Sequence, residues 1–267
     1  MKIGFIGGGN MAFAIAGGVL SAGLCNENEL FISDVSETAL AKFRELGISA
    51  DTSYECALQG EFIVLAVKPF IYPAALAELK NSYWDAVQEK VFVSIGAGVT
   101  VQEVKEYLGF DAKVIRVMPN TPAMVQEGMT VLASECAPAT KEEFESTVQI
   151  FEAVGKTEVL PESLLNAVIG VSGSSPAYIY ILIEAMADAA VRDGIARDKA
   201  YKLAAQSVLG SAKMVLETGK HPGELKDMVC SPRGTTIEAV AELERRGFRA
   251  AIEGAMKACT EKAEHLK

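Results

Sequence analysis

The sequence predicts an α/β fold in which a doubly wound, mostly parallel sheet is followed by an all-helical C-terminal domain. Two observations carry this expectation. Up to about residue 160, short apolar runs alternate with helical patterns; after Pro161 the alternation gives way to long segments rich in Ala, Leu and Glu. At 267 residues the chain is long enough for two such domains, and half of it is hydrophobic, so each can bury a core.

Along the first domain the runs KIGFI, ELFIS, FIVLAV, KVFVSI and KVIRVM are each bounded by Gly, Pro, Asp or Asn, with helix-like stretches such as Glu37 to Leu46 between them. Runs of this kind fit strands covered on both faces. The second domain is punctuated by Gly194, Gly219, Pro222, Gly234 and Gly247, as helices joined by turns would be. Its helix from Pro176 to about Arg192 is apolar on nearly every side: Tyr180, Ile181, Met186 and Val191 cannot share one face. A domain of barely a hundred residues can hardly cover such a helix, so a second subunit is expected, with a central helix wrapped by its own neighbours as the alternative. The uncharged stretch Ala167 to Ile183 approaches membrane-spanning length. Its middle, Ser172-Gly173-Ser174-Ser175-Pro176, reads as a turn between two helices.

With 35 acidic against 25 basic residues the formal charge is -10, which opposes a nucleic-acid backbone or an anionic membrane as the main partner and favours a small metabolite. The five cysteines, at 25, 56, 136, 230 and 259, have no metal-type or redox-type spacing, and their odd number argues against a stapled secreted protein. A reducing cytoplasm is the expected compartment. Near the N-terminus, three glycines and an asparagine at 7 to 10 interrupt the apolar core that a signal peptide needs.

The same glycines carry the first functional motif. Gly7-x-Gly9-x-x-Ala12 follows the first strand and opens a helix, the position of the Rossmann dinucleotide fingerprint. The first glycine permits a tight turn, the second lets the backbone approach a pyrophosphate, and the small third position lets helix and strand pack closely. The helix N-terminus offers free N–H groups and about half a positive charge to phosphates. Asp34 ends the second run at the distance where an acid accepts the hydrogen bonds of an adenine ribose, and a carboxylate there repels a 2′-phosphate, which favours NADH over NADPH. Asp34 with Glu37 equally fits a helix-capping box, and both roles stay open. AVKP (Ala66 to Pro69) follows the fourth strand and MPNTPA (Met118 to Ala123) the sixth, where a doubly wound sheet holds its ligand. On the residues alone, Lys68 is equally an ordinary surface lysine and Asn120 an ordinary turn residue.

Near the C-terminus, Ser231-Pro232-Arg233-Gly234-Thr235-Thr236 crowds small donors just before a helical run. Either these residues cap the final helices, or their amides and hydroxyls bind a small anion.

In order along the chain, GFIGGGNMA, AVKP, MPNTP, SGSSPAY, HPGELKDMV and SPRGTTI resemble the words of the pyrroline-5-carboxylate reductase family, and the resemblance runs from the first strand to the last helices. It implies a Rossmann-like dinucleotide-binding domain over 1–160 and a helical substrate-binding and dimerisation domain over 161–267. The implied assembly is a homodimer interlocked through the helical domain, with a decamer built of dimers as an open further step. The implied reaction is reduction of 1-pyrroline-5-carboxylate to L-proline with NADPH or NADH. By position, Gly7, Gly8, Gly9, Asn10, Met11, Ala66, Val67, Lys68, Ala97 and Asn120 are implied cofactor contacts, with Asp34 at the adenosine ribose. Ser231, Gly234, Thr235 and Thr236 are implied to hold the substrate, and the Thr236 hydroxyl to hydrogen-bond the ring nitrogen as the catalytic group. No metal is implied. An imine arrives partly protonated, which fits a chain with only two histidines. The chain departs from the family's usual words at three places. Ser175 and Arg233 stand where members commonly have glycine, and Asp34 stands where they often have a small polar residue or arginine, which bears on the usual NADPH preference. Two rival readings remain: a hydroxyacid dehydrogenase of similar architecture, with Lys199 or Lys202 as base, and a nucleotide-sensing regulator without turnover.

Overall fold

The computed structural model describes residues 1–265. Eight strands form one sheet in the order β3-β2-β1-β4-β5-β6-β7-β8. They are β1 (Ile3–Ile6), β2 (Leu30–Ser33), β3 (Ser49–Asp51), β4 (Phe62–Leu65), β5 (Val91–Ser94), β6 (Lys113–Met118), β7 (Gly128–Ala133) and β8 (Gly155–Leu160). Every neighbouring pair is parallel except β6 with β7. The chain winds from β1 outward to β3, then returns to β4 on the other side of β1 and winds the opposite way. That reversal leaves a crevice at the carboxyl ends of β1 and β4, where such sheets take ligands.

The five apolar runs become β1, β2, β4, β5 and β6, and their alternate residues feed two separate cores. Ile3, Phe5, Val64, Val93 and Ile115 join one cluster; Ile6, Ile63, Leu65, Phe92 and Val114 join the other. A strand buried on both faces must be apolar at every position, which is why these strands read as continuous runs. The sequence pattern passes over β3, β7 and β8, the first and last for physical reasons. β3 is three partly exposed residues at one edge, and β8 at the other edge keeps no residue fully buried.

Two local expectations are corrected. The Ser172–Pro176 stretch is not a reverse turn: a π-helical turn, Ile169–Gly173, bends only at Ser174 and runs on into the helix Ser175–Arg192. The wider loop of a π turn accommodates the extra residue without breaking the helix. The helical run Glu162–Arg192, of mean hydropathy 1.3, is long and apolar enough to cross a membrane by length and composition. The helix expected to Leu46 ends at Arg44, where Gly47 in the left-handed region turns the chain.

Two compact units result: Met1–Ser174 together with the chain from Cys259 onward, and Ser175–Ala258. The second contains the helices Ser175–Arg192, Arg197–Thr218, Pro222–Val229 and Thr235–Arg245 and the start of Phe248–Glu264. Among its residues only the side chains of Ala187, Ala200 and Ala204 are buried, while Ile181 is 67% and Leu216 83% exposed. Two open apolar clefts of about 420 and 370 Å³ lie on it, one lined by Leu243, Phe248 and Ile252, the other by Met214, Leu225 and Met228.

The helix Tyr54–Ala57 lies directly on β1, because a Cβ at Gly4 would come within 1.9 Å of the Ala57 carbonyl oxygen. Gly4→Ala therefore lowers the unfolding free energy by roughly 1–3 kcal/mol or more, as overpacking does. At Gly9, where a Cβ would meet nothing within 4 Å, the same substitution stays within about 0.5 kcal/mol, as surface changes do. Urea titration of the two variants checks the contrast.

Candidate active site

The turn after β1 is shaped by its neighbours before any ligand is considered. Gly7 has φ 104°, and a Cβ there would stand 2.7 Å from the Ala66 carbonyl carbon. Its N–H donates to the Ser33 carbonyl at 2.7 Å, and the Gly8 N–H donates to Asp34 Oδ2 at 2.6 Å. Gly7 and Gly8 are thus buried and their amides committed to the neighbouring chain, so they shape the turn. Gly9 and Asn10 are exposed. Gly9 is the N-cap of the helix Asn10–Ser21, with no capping side chain and no acid in the first turn. Uncapped amides carrying the positive end of a helix dipole suit phosphate oxygens.

A cavity of about 410 Å³ opens beside this turn. Gly9, Asn10, Met11, Ala66, Val67, Lys68 and Ala97 all line it, so seven of the expected cofactor residues from three separate segments meet there. Lys68 is exposed and forms no ion pair among the described residues, and it brings a positive charge to the cavity wall. The open approach over Gly9, the uncapped amides and this cation fit a dinucleotide.

Asp34 and Asn120 behave differently. Asp34 is half-buried; Oδ2 accepts from Gly8 N–H and Oδ1 from Ser36 N–H at 2.8 Å. The capping-box expectation is corrected: the helix Glu37–Arg44 is capped by Ser36, whose hydroxyl accepts from Ala39 N–H. A carboxylate has about four acceptor sites, so Asp34 retains capacity for ribose hydroxyls. Asn120 is not among the lining residues. It is 8% exposed, its amide donates to the Ser172 carbonyl at 3.0 Å, and its oxygen accepts from Met129 N–H at 2.9 Å. It fastens the loop after β6 to the π turn and to β7.

In the helical unit, Gly234 is the N-cap of the helix Thr235–Arg245 and no side chain caps it. The capping alternative for Ser231, Thr235 and Thr236 is therefore not realised: none of their hydroxyls makes a hydrogen bond among the described residues. Ser231 folds against Gly234 so closely that a Cβ on that glycine would be 2.4 Å from its Oγ. The result is an uncapped helix start flanked by three uncommitted hydroxyls, Thr236 half-buried and the other two exposed.

A model described as pyrroline-5-carboxylate reductase dimerisation matches residues 162–266, and one described as NADP oxidoreductase coenzyme F420-dependent matches residues 2–98. The chain is 49% identical over 267 residues to the pyrroline-5-carboxylate reductase of Escherichia coli, covering 99% of this chain and 98% of that one. The chain belongs to the pyrroline-5-carboxylate reductase family. The Methanosarcina acetivorans reductase is 45% identical over 99% of this chain and 97% of its own. The pyrroline carboxylate reductase structure from Plasmodium falciparum, which has NADP bound, superposes with a TM-score of 0.89 at 30% identity, covering 99% of this chain and 97% of that one. The apolar run Glu162–Arg192 falls inside the matched dimerisation segment.

Sequence reasoning missed part of the reductase cavity wall, namely Ile95, Gly96 and Met124, while Met118, Pro119 and Thr121 belong to the MPNTPA loop that it places at the ligand. The only signal of the missed three is position, just past β5 and β6. It also missed Tyr72, which supports that wall from behind. The Tyr72 hydroxyl donates to the Leu65 carbonyl at 2.8 Å and accepts from Ser94 at 3.3 Å, and a Cβ on Gly96 would be 2.7 Å from its oxygen. Burial pushes the Tyr72 phenol from 10.0 to about 12. The folded state thus favours the neutral form: this contribution is complete below the unfolded value and is lost as pH rises through the folded one. Stability is expected to fall by on the order of 2 kcal/mol between pH 10 and 12 from this group. Guanidinium titrations across that range, compared with Tyr72→Phe, isolate its share of the slope.

Proposed function

We propose that the chain reduces the cyclic imine 1-pyrroline-5-carboxylate to L-proline, and that the two halves of the task fall to its two units. The observation that carries the reading is the uncapped, hydroxyl-flanked helix start at Gly234 in a chain of this family. The backbone amides of Thr235 and Thr236 bind the substrate carboxylate, helped by the helix dipole, while the Gly234 N–H closes the turn onto the Ser231 carbonyl. Thr236 Oγ1 hydrogen-bonds the ring nitrogen, and Ser231 supports the same loop. The turn at Gly9, Asn10 and Met11 holds the pyrophosphate. Ala66, Val67, Lys68 and Ala97 hold the rest of the dinucleotide within the cavity, and Asp34 receives the adenosine ribose. When bound, the nicotinamide supplies the hydride for the imine carbon. The chain's own work is to orient and polarise, and correct orientation accounts for about 7–11 kcal/mol in well-ordered reactions.

The helical half makes the homodimer: its exposed apolar residues and clefts support a second copy as their cover. The family's dimerisation model over the same residues agrees with that reading. All five cysteines are free thiols, which suits the cytoplasm. Hydroxyacid oxidation would need a base near the substrate. Lys199 and Lys202 are exposed on the first two turns of the helix Arg197–Thr218, and the family match supports imine reduction as the chemistry.

Loss of absorbance at 340 nm on mixing the protein, NADH or NADPH and synthetic pyrroline carboxylate tests the activity, and no loss with either cofactor refutes it. Thr236→Ala is expected to lower kcat by roughly 10²- to 10⁴-fold, the usual loss for a proton-transfer or polarising group. Asp34→Asn keeps an acceptor for Gly8 N–H and removes the charge that opposes a 2′-phosphate. It should raise kcat/KM for NADPH relative to NADH about tenfold, a change near 1.4 kcal/mol; steady-state kinetics with both cofactors read it.

A further inference from the structure

We infer that Arg233 clamps the substrate carboxylate, adding to the Ser231–Thr236 loop a cation that sets affinity and selects for a charged ring; this rests on the assignment of that loop to the substrate. The Gly234 N–H donates to the Ser231 carbonyl at 3.0 Å, closing a four-residue turn with Pro232 and Arg233 at its centre. Arg233 has φ 60°. A positive φ at the third residue is what a type II turn requires, and glycine supplies it without steric conflict. Arginine does so only with its Cβ crowding the backbone, and it lacks the short polar group that lets Asn or Asp relieve the left-handed region. A side chain kept in a conformation that penalises it points to a task for that side chain.

The guanidinium itself is uncommitted. Arg44, Arg116, Arg197, Arg245, Arg246 and Arg249 each face a carboxylate. Arg233, like Arg192, is exposed and has no carboxylate partner among the described residues, although acids outnumber bases by 35 to 25. It stands one residue before Gly234, whose helix begins without a capping side chain. The nearest acid on that helix's first turn is Glu238. A planar, two-oxygen carboxylate is the anion that a guanidinium fork matches best. The amides orient that group; Arg233 supplies the full opposite charge. Because the carboxylate does not change charge during reduction, the clamp acts equally on ground and transition states, so it governs KM and leaves kcat alone.

The test uses the full-length protein with Arg233→Gly and Arg233→Lys. It measures kcat and KM for pyrroline carboxylate, kcat/KM for uncharged 1-pyrroline, KM for the dinucleotide, and thermal unfolding. Arg233→Gly is expected to raise KM for the carboxylated imine about tenfold, as loss of a charged hydrogen bond does, with kcat held within about twofold. Its kcat/KM for 1-pyrroline stays level, and its melting temperature rises about 2–4 °C as the turn relaxes. Arg233→Lys recovers part of the KM, and added salt raises KM in the parent far more than in Arg233→Gly. An unchanged KM for the carboxylated imine in Arg233→Gly overturns the inference, as does a rise confined to the dinucleotide. A parent protein that reduces neither imine refutes the functional assignment itself, and this inference falls with it.

Discussion

The absence of a side chain at Gly7 is the constraint on which the nucleotide half depends. β1 is flanked on one side by β2 and on the other by β4, and the turn that leaves it must pass between their ends. On the β4 side the Ala66 and Val67 backbone stands within 2.8 Å of any Cβ at Gly7; on the β2 side Ser33 and Asp34 take up the first two amides. The turn is gripped from both sides, and this grip aims the next helix at the crevice. Asp34 has two tasks in one carboxylate, since it accepts from both the Gly8 and the Ser36 N–H. The close packing of Gly4 against Ala57 repeats the device one turn lower, so this end of the sheet is built on backbone contacts that only glycine permits.

Four helices of the first unit begin with hydroxyl caps: Ser36, Ser53, Thr100 and Thr140, the last two as full capping boxes. The helices that begin at Gly9 and at Gly234 have no capping side chain. Leaving first-turn amides without a partner lowers stability slightly, and it keeps donors and a positive field ready for anions. One such helix lies in the nucleotide half and the other in the helical unit, so the same physics is available to anions on two unrelated scaffolds.

Much of this was legible in the sequence, because double-sided burial writes itself as apolar runs and a tight turn as glycines. β1, β2, β4, β5 and β6 and the glycine turn came from those signals, while the cavity-wall residues from Asn10 to Met11 and Ala66 to Lys68 came by position from the family resemblance. What stayed hidden depends on pairing at long range. Arg116 sits inside an apolar run and is 4% exposed, and its partners Glu162 and Asn166 lie 46 and 50 residues further on. Asn120 reads as a loop residue with cofactor potential, and only the tertiary fold reveals its bonds to Ser172 and Met129. The Ser172–Pro176 stretch misled because serine and proline punctuate chains locally, whereas here the π turn absorbs them within a continuing helix. The Ser231–Thr236 loop was visible as a cluster of donors, but whether those donors cap a helix or stand free is a matter of atomic positions.

The sparse interior of the helical unit has a consequence for how the molecule comes into being. Three buried alanines cannot stabilise five helices. The free energy that orders them must arrive with another copy of the chain, and so depends on abundance as well as on sequence. A nascent chain can complete its sheet alone, with Ile3, Phe5, Ile63 and Phe92 already enclosed, while Ile181 and Leu216 still wait in water for their counterpart. Maturation is therefore a second-order event, and dilution works against this half of the protein while sparing the other.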